Sequence, residues 1–136
     1  MEIRFRAVPS LETVSIWPEA AAVLTPALIA RFYNAEDIQS RLADARMQLW
    51  VAEIDGRVRA ACVTEVHNYP RCKALAVILA AGEGFGLWKD WLHDLATCGR
   101  EMGCDLLISY GARAGWERAA GLTKVGTTYM MDLKGD

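Results

Sequence analysis

The sequence predicts one α/β (α+β) domain, in which helices cover a mixed β-sheet. Its 136 residues match the length of one ordinary domain. Asp55-Gly56 lies between two apolar stretches and is a strong signal for a two-residue hairpin turn. An apolar stretch at 73–80 precedes an amphipathic helix at 88–102 and an apolar strand at 106–110. The order strand, helix, strand predicts a parallel crossover.

The N-terminal part of the chain begins with a predicted strand and continues with helices. Residues 2–8 alternate between charged and apolar side chains, which is typical of a half-buried strand. The following Ala- and Leu-rich segment has helical periodicity, but Pro18 and Pro26 interrupt it. We therefore expect two short helices there, with Thr25 capping the second.

The next three elements are a helix and the two strands of the hairpin. Asn34 followed by acidic residues predicts an N-cap and a helix to about Arg46. Residues 47–54 and 57–67 are the hairpin strands. In a regular second strand, Val58 shares a face with Cys62.

The C-terminal half contains the most apolar strand. Residues 73–80 carry almost no polar side chain, as expected of a strand that is covered on both faces, so we place them at the sheet centre. Residues 113–120 predict a short helix. Residues 124–133 predict a last strand, antiparallel to its predecessor.

Composition and charge argue against several classes of partner. The chain is 53% hydrophobic and 24% charged, which favours a folded protein over a disordered one. Its net charge of -2, without a cluster of lysines or arginines, makes nucleic acid an unlikely partner. No apolar run approaches the roughly 18 residues that a membrane helix needs, so no membrane association is predicted.

The cysteines predict free thiols and no metal site. They lie at Cys62, Cys72, Cys98 and Cys104, without a Cys-x-x-Cys pair, and the chain has only two histidines. Their apolar neighbours favour buried or half-buried thiols in a reducing compartment. We therefore expect a cytoplasmic protein.

The loop at 81–86 reads Ala-Gly-Glu-Gly-Phe-Gly and has the features of a phosphate-binding turn. Its glycines lie between an apolar strand and a long helix, an order that can surround a phosphate with backbone amides. A carboxylate at Glu83, however, would repel a phosphate at this loop. An equally open alternative is that the glycines are needed for the turn alone.

Three polar residues lie on one face near the end of the second hairpin strand. Glu65, His67 and Tyr69 alternate along it, about 6.5 to 7 Å apart from one to the next. They are candidates for a general base. The alternative is a strand end that carries polar groups because it emerges into solvent.

The order of elements, the glycine loop and a Gly121-Leu122 pair together resemble the GNAT superfamily of acyl-CoA-dependent N-acyltransferases over nearly the whole chain. The resemblance implies a mixed central sheet of about six or seven strands flanked by helices on both faces, with acetyl-CoA or another acyl-CoA as co-substrate. It places the cofactor contacts at Leu79, Gly82, Gly84, Phe85 and Gly86. The family's loop begins with Gln or Arg, so Ala81 makes this loop degenerate.

The resemblance also suggests a general acid and an origin. Many members of the family carry a tyrosine four residues before a Gly-Phe pair, and the matching residue here is Glu117. A carboxyl group serves as an acid near neutral pH only where desolvation raises its pKa. The phrase Gly-x-Arg-x-Gly-Trp at 111–116 is similar to small GNAT-like proteins of phages and prophages.

Two functions from different classes remain open at this point. One is an N-acyltransferase that acts on a small-molecule or protein amine. The other is a catalytically inactive GNAT-fold protein of phage or prophage origin that works through binding or assembly, for example as a homodimer.

Overall fold

The structure, a computed structural model, describes residues 3–28, 32–82, 88–109, 122–126 and 129–134. Within these ranges the strands are β1 (Ile3–Val8), β2 (Gln48–Ile54), β3 (Arg57–Asn68), β4 (Lys73–Gly82) and β5 (Leu106–Ser109). The helices are α1 (Thr13–Leu24), α2 (Ala35–Ala43) and α3 (Trp88–Glu101). None of them has both the length and the apolar character that crossing a bilayer requires.

The five strands form one mixed sheet in the order β1-β2-β3-β4-β5. Only β4 and β5 pair in parallel, as expected for strands joined through α3. The predicted fold class is therefore confirmed. The middle strand of this sheet is β3, so the prediction that residues 73–80 form the central strand was wrong by one strand. The apolar composition of those residues is explained by the burial of β4 on both faces.

The described residues form five strands, fewer than the six or seven predicted. The described residues of the predicted last strand, 124–126 and 129–133, lie outside the sheet. Their side chains are in solvent, with Val125 at 92% exposure. Strand propensity depends on burial against a neighbouring strand, so composition alone did not decide the state of this segment.

Two clusters of buried side chains lie on opposite faces of the sheet. The first joins α1 and α2 to the sheet through Trp17, Leu24, Ile38, Leu42 and Val63. The second joins α3 to the sheet through Trp50, Cys62, Val77, Trp91 and Leu95. The predicted arrangement of helices on both faces is thus confirmed.

The prediction of two short helices interrupted at Pro18 and Pro26 was wrong for the first helix. After a 3-10 turn at Ser10–Glu12, α1 continues through Pro18 without a break. Proline removes the hydrogen bond to the carbonyl group of Val14, but Val14 is 72% exposed and water can replace that bond. Thr25 does not cap a second helix, because its hydroxyl donates back to the Ala21 carbonyl oxygen at 2.7 Å.

The hairpin confirms the predicted turn and corrects the predicted face of Val58. Asp55 and Gly56 have φ values of 51° and 81°, as a type I′ turn requires. The register then shifts, because Ala60 pairs with Ala52 while Val58 pairs with Glu53. This bulge places Val58 in the buried cluster under α1, whereas Cys62 lies in the cluster on the opposite face of the sheet.

The third helix agrees with its prediction. Trp91, Leu92 and Leu95 are buried, and His93 is exposed. Gly103 has a φ of 82° and ends the helix. The amide of Cys104 then donates to the Gly99 carbonyl oxygen at 2.8 Å, which completes a Schellman motif.

The second helix is fixed at both ends. The Asn34 side chain accepts from the Asp37 amide at 2.8 Å, and the Asp37 carboxylate accepts from the Asn34 amide at 2.9 Å. These two bonds form a capping box, which confirms the N-cap predicted at Asn34. At the other end, the amide of Arg46 donates to the Arg41 carbonyl oxygen at 2.9 Å across Ala45, whose φ is 59°. This is a second Schellman motif, with alanine where glycine is favoured.

We predict that Ala45→Gly stabilises the protein by about 0.5 to 1 kcal/mol. The substitution removes the contact between Cβ and the following carbonyl group at positive φ, and the greater entropy of the unfolded chain offsets part of that gain. Urea unfolding followed by circular dichroism measures the change. A loss of stability would show that Ala45 does not adopt this conformation in solution.

Gly82, the last residue of β4, lies against the backbone of β3. Its φ is 127°, and a Cβ added there would overlap the Cα of Ala60 and the carbonyl oxygen of Arg59. Both obstructing atoms are backbone atoms, which a rotamer change cannot move. Gly82 therefore has a structural reason to be glycine, whatever the loop after it binds.

We predict that Gly82→Ala costs at least ~2 kcal/mol more than Gly56→Ala. Gly56 also has positive φ, but nothing lies within 4 Å of a Cβ added there, so its variant measures backbone strain without a clash. Equilibrium unfolding of the two variants separates the effects. Equal losses would mean that β3 and β4 do not approach as closely as described.

Candidate functional site

The pairing of β4 with both adjacent strands changes at Ile78. On one side, Val77 forms the last pair with β5, opposite Ser109. On the other side, the register with β3 shifts so that Ile78 is an extra residue in β4, and a bulge of this kind bends a strand. Beyond it β4 continues to Gly82, and within the described ranges no strand pairs with that outer edge. The free edge, Ile78–Gly82, is roughly 16 Å long.

Two of the five predicted cofactor residues lie on this free edge. Leu79 is 7% exposed and packs in the cluster under α1, so only its backbone is available to a ligand. Gly82 ends the edge. The other three, Gly84, Phe85 and Gly86, lie outside the described residues, as does Glu83.

Ala81 occupies the position where the resembled family carries a cation. Its methyl group packs against the cluster under α1. The described part of the edge therefore offers a ligand backbone amides and carbonyl groups, and no positive charge. Such an edge can hydrogen-bond a ligand chain that contains amides, whereas it offers no charged group for a phosphate.

The structure brings together the three polar residues predicted on β3. The Nε2 atom of His67 lies 2.7 Å from Oε1 of Glu65, and its Nδ1 atom lies 3.5 Å from the Tyr69 hydroxyl group. The Glu65 and His67 side chains are mostly buried, at 18% and 23% exposure. The solvent-facing alternative therefore fits only Tyr69, which is exposed.

Arg41 of α2 joins this group, and the sequence did not suggest it. Its Nη1 atom lies 3.3 Å from Oε2 of Glu65, and its guanidinium carbon lies 5.4 Å from the centre of the Tyr33 ring. No sequence spacing links residues 41 and 65, because their contact depends on how α2 packs against β3. We call Arg41, Glu65, His67 and Tyr69 the polar cluster.

Glu65 is the member of the polar cluster on β3 that lies nearest to the start of the free edge. It pairs with Ala76, and His67 pairs with Ala74. Ile78 follows Ala76 by two residues and Ala74 by four, or about 7 Å and about 13 Å along the strand. The remaining catalytic candidate, Glu117, lies outside the described residues.

The environment of two cysteines disfavours a thiolate nucleophile. Burial raises the pKa of Cys62 to about 12. Partial burial also raises the pKa of Cys98, and the nearby Glu101 and Asp94 raise it further. Both thiols are therefore protonated near neutral pH. All four cysteines are free.

Comparisons with known proteins give a result for structure only. Neither the protein-family models nor the curated protein sequences contain a match to this sequence. Solved structures do match it along nearly its whole length. One is a predicted acetyltransferase with acetyl-CoA from Clostridium acetobutylicum, at 13% identity and a TM-score of 0.71, covering 97% of both chains.

Two other matches carry related descriptions. A GNAT family acetyltransferase from Staphylococcus aureus has 11% identity and a TM-score of 0.69, covering 98% of this chain and 100% of its own. An aminoglycoside acetyltransferase from an uncultured soil metagenomic sample, in complex with sisomicin, has 12% identity and a TM-score of 0.70, covering 97% of both chains. At these identities the likeness concerns the fold, and the chain has the fold of GNAT acetyltransferases.

Proposed function

We propose that this protein is an N-acyltransferase that transfers an acyl group, with acetyl as the first candidate, from acyl-CoA to an amine. The observation that carries the proposal is the position of the polar cluster beside the free edge of β4. The fold match supports the same reaction class by analogy, since the three structures named above are described as acetyltransferases, one of them as a predicted one.

The free edge would bind the amide-containing arm of acyl-CoA through its backbone. Within the described residues β5 pairs with β4 as far as Val77, next to the residue where the bulge bends β4, and an extended ligand would add to β4 beyond that pair. Ligand addition to an exposed strand edge uses main-chain hydrogen bonds that need no particular side chain. The apolar side chains of this edge are compatible with that mode of binding.

The polar cluster would act on the acceptor. An amine is protonated near neutral pH and must lose a proton before its lone pair attacks the thioester carbon. The nitrogen–carbon bond then forms, and the carbon–sulfur bond breaks as the thiolate leaves. Glu65, His67 and Tyr69 supply the base in this proposal, and Glu117 is the candidate acid that protonates the thiolate.

The alternative, a GNAT-fold binding or assembly protein of phage or prophage origin, is favoured by one observation. Ala81 faces the protein core with a methyl group where the resembled family has a cation. A lost guanidinium contact to phosphate is worth about 1.5 to 3 kcal/mol. A chain that had lost its cofactor would tolerate such a residue, and a homodimer is one form that it would take.

Calorimetric titration with acetyl-CoA tests the cofactor. We predict a dissociation constant between about 1 µM and 1 mM, the usual range of KM. We also predict that Glu83→Lys tightens it about tenfold, because an ammonium group replaces a carboxylate beside the pyrophosphate. Asp94→Lys on the exposed face of α3 makes the same charge change elsewhere and is the control. Absence of heat at millimolar acetyl-CoA would favour the binding protein.

Release of free CoA in the presence of an amine tests the reaction. Sisomicin and a peptide with a free N-terminal amine represent the small-molecule and protein acceptors. We predict that His67→Gln lowers kcat/KM about 100-fold, within the usual contribution of a general base. The exposed His93, on α3, gives the control His93→Gln, which should retain full activity. Equal activity of the two variants would remove the polar cluster from the mechanism.

A further inference from the structure

We propose that Arg41 and Glu65 are positioning residues that hold His67 with its proton on Nε2, so that Nδ1 receives the acceptor's proton by way of the Tyr69 hydroxyl group. This inference rests on the proposed function for its chemistry. Its structural part, the orientation and protonation of one imidazole ring, is independent of any reaction.

Glu65 is held by two partners, one at each carboxylate oxygen. Oε2 faces Nη1 of Arg41 at 3.3 Å, and Oε1 faces Nε2 of His67 at 2.7 Å. Both oxygens therefore face groups of the protein, and the side chain is only 18% exposed, so Glu65 is not placed to contact a substrate. Glu65 therefore orients the imidazole ring, and the ring itself is the base.

The Glu65 carboxylate determines which nitrogen of the His67 ring carries the proton. An ionised carboxylate only accepts hydrogen bonds, so Nε2 must carry the proton that lies between His67 and Glu65. Nδ1 is then the acceptor nitrogen, and the Tyr69 hydroxyl group lies 3.5 Å from it. This distance must shorten for proton transfer, as is usual when a site without substrate closes around one.

The proton path balances without another reagent. The Tyr69 hydroxyl group gives its proton to Nδ1 as the phenolic oxygen takes one from the bound ammonium group. The amine becomes neutral, Tyr69 is restored, and His67 becomes an imidazolium ion beside the carboxylate of Glu65. The exposure of Tyr69 suits a residue that contacts the substrate, and the burial of Glu65 suits one that does not.

Arg41 is well placed for a positioning role because its backbone is fixed. Its carbonyl oxygen accepts from the amides of Arg46 at 2.9 Å and Met47 at 3.2 Å, which ties the end of α2 to the start of β2. Its guanidinium group lies over the ring of Tyr33, the residue before the Asn34 cap. Both ends of α2 thus contribute to the orientation of one side chain.

The Nε2 proton of His67 provides the test, through ¹⁵N-resolved NMR of the protein at about pH 9, above the ordinary imidazole pKa near 6.5. We expect a proton on Nε2 of His67, protected from exchange, and an unprotonated Nδ1. The protected signal should be lost in Glu65→Ala and Arg41→Ala and retained in Arg41→Lys. The exposed His93 is the internal reference for a ring without such protection.

Each outcome decides the proposal. A proton on Nδ1, protons on both nitrogens, or a protected signal that survives Arg41→Ala would overturn it. Retention of the native fold in each variant is checked from the amide spectrum, and Arg41→Lys keeps the test usable should Arg41→Ala unfold.

In the CoA-release assay, Arg41→Ala should lower kcat about 10- to 100-fold. The NMR result without any turnover would sustain the positioning and reject the acyltransferase, whereas turnover unaffected by Arg41→Ala would reject the positioning alone.

Discussion

The pairing of β3 with β4, and its interruption at Ile78, is the constraint on which the rest of the site depends. The extra residue in β4 bends the strand at the position where β5 stops pairing with it. The same pairing places Glu65 opposite Ala76, a short distance before that bend. Within the described part of the chain, this one irregularity therefore coincides with the start of the free edge and lies close to Glu65 of the polar cluster.

The helices contribute precision to this arrangement. The cluster under α1 and α2 includes Val63, two residues before Glu65 on the same strand face, so packing of these helices fixes the surface from which Glu65 projects. Capping at both ends of α2 holds Arg41 against it. On the other face, Phe5 stacks between Trp50 and Trp91, which ties the edge strand β1 and α3 to the same sheet. Stability and geometry thus come from the same contacts.

The sequence was informative where local signals decide the structure. The N-cap at Asn34, the turn at Asp55-Gly56 and the helix ending at Gly103 each depend on neighbouring residues, and each was predicted. The bulges at Val58 and Ile78 depend on the register between neighbouring strands, which the sequence of one strand alone does not determine. For the same reason Glu65 and His67 were found through their spacing on one strand, whereas Arg41 came from another element and was missed.

The central claim is that acyl-CoA binds along the free edge of β4 beside the polar cluster. Backbone ¹⁵N–¹H spectra recorded during an acetyl-CoA titration test it most directly. The account predicts that amide signals from Ile78 to Gly82 shift together with those of Glu65 and His67, while signals from β1 remain unchanged. Shifts confined to other parts of the sheet, or no shifts at millimolar ligand, would contradict it.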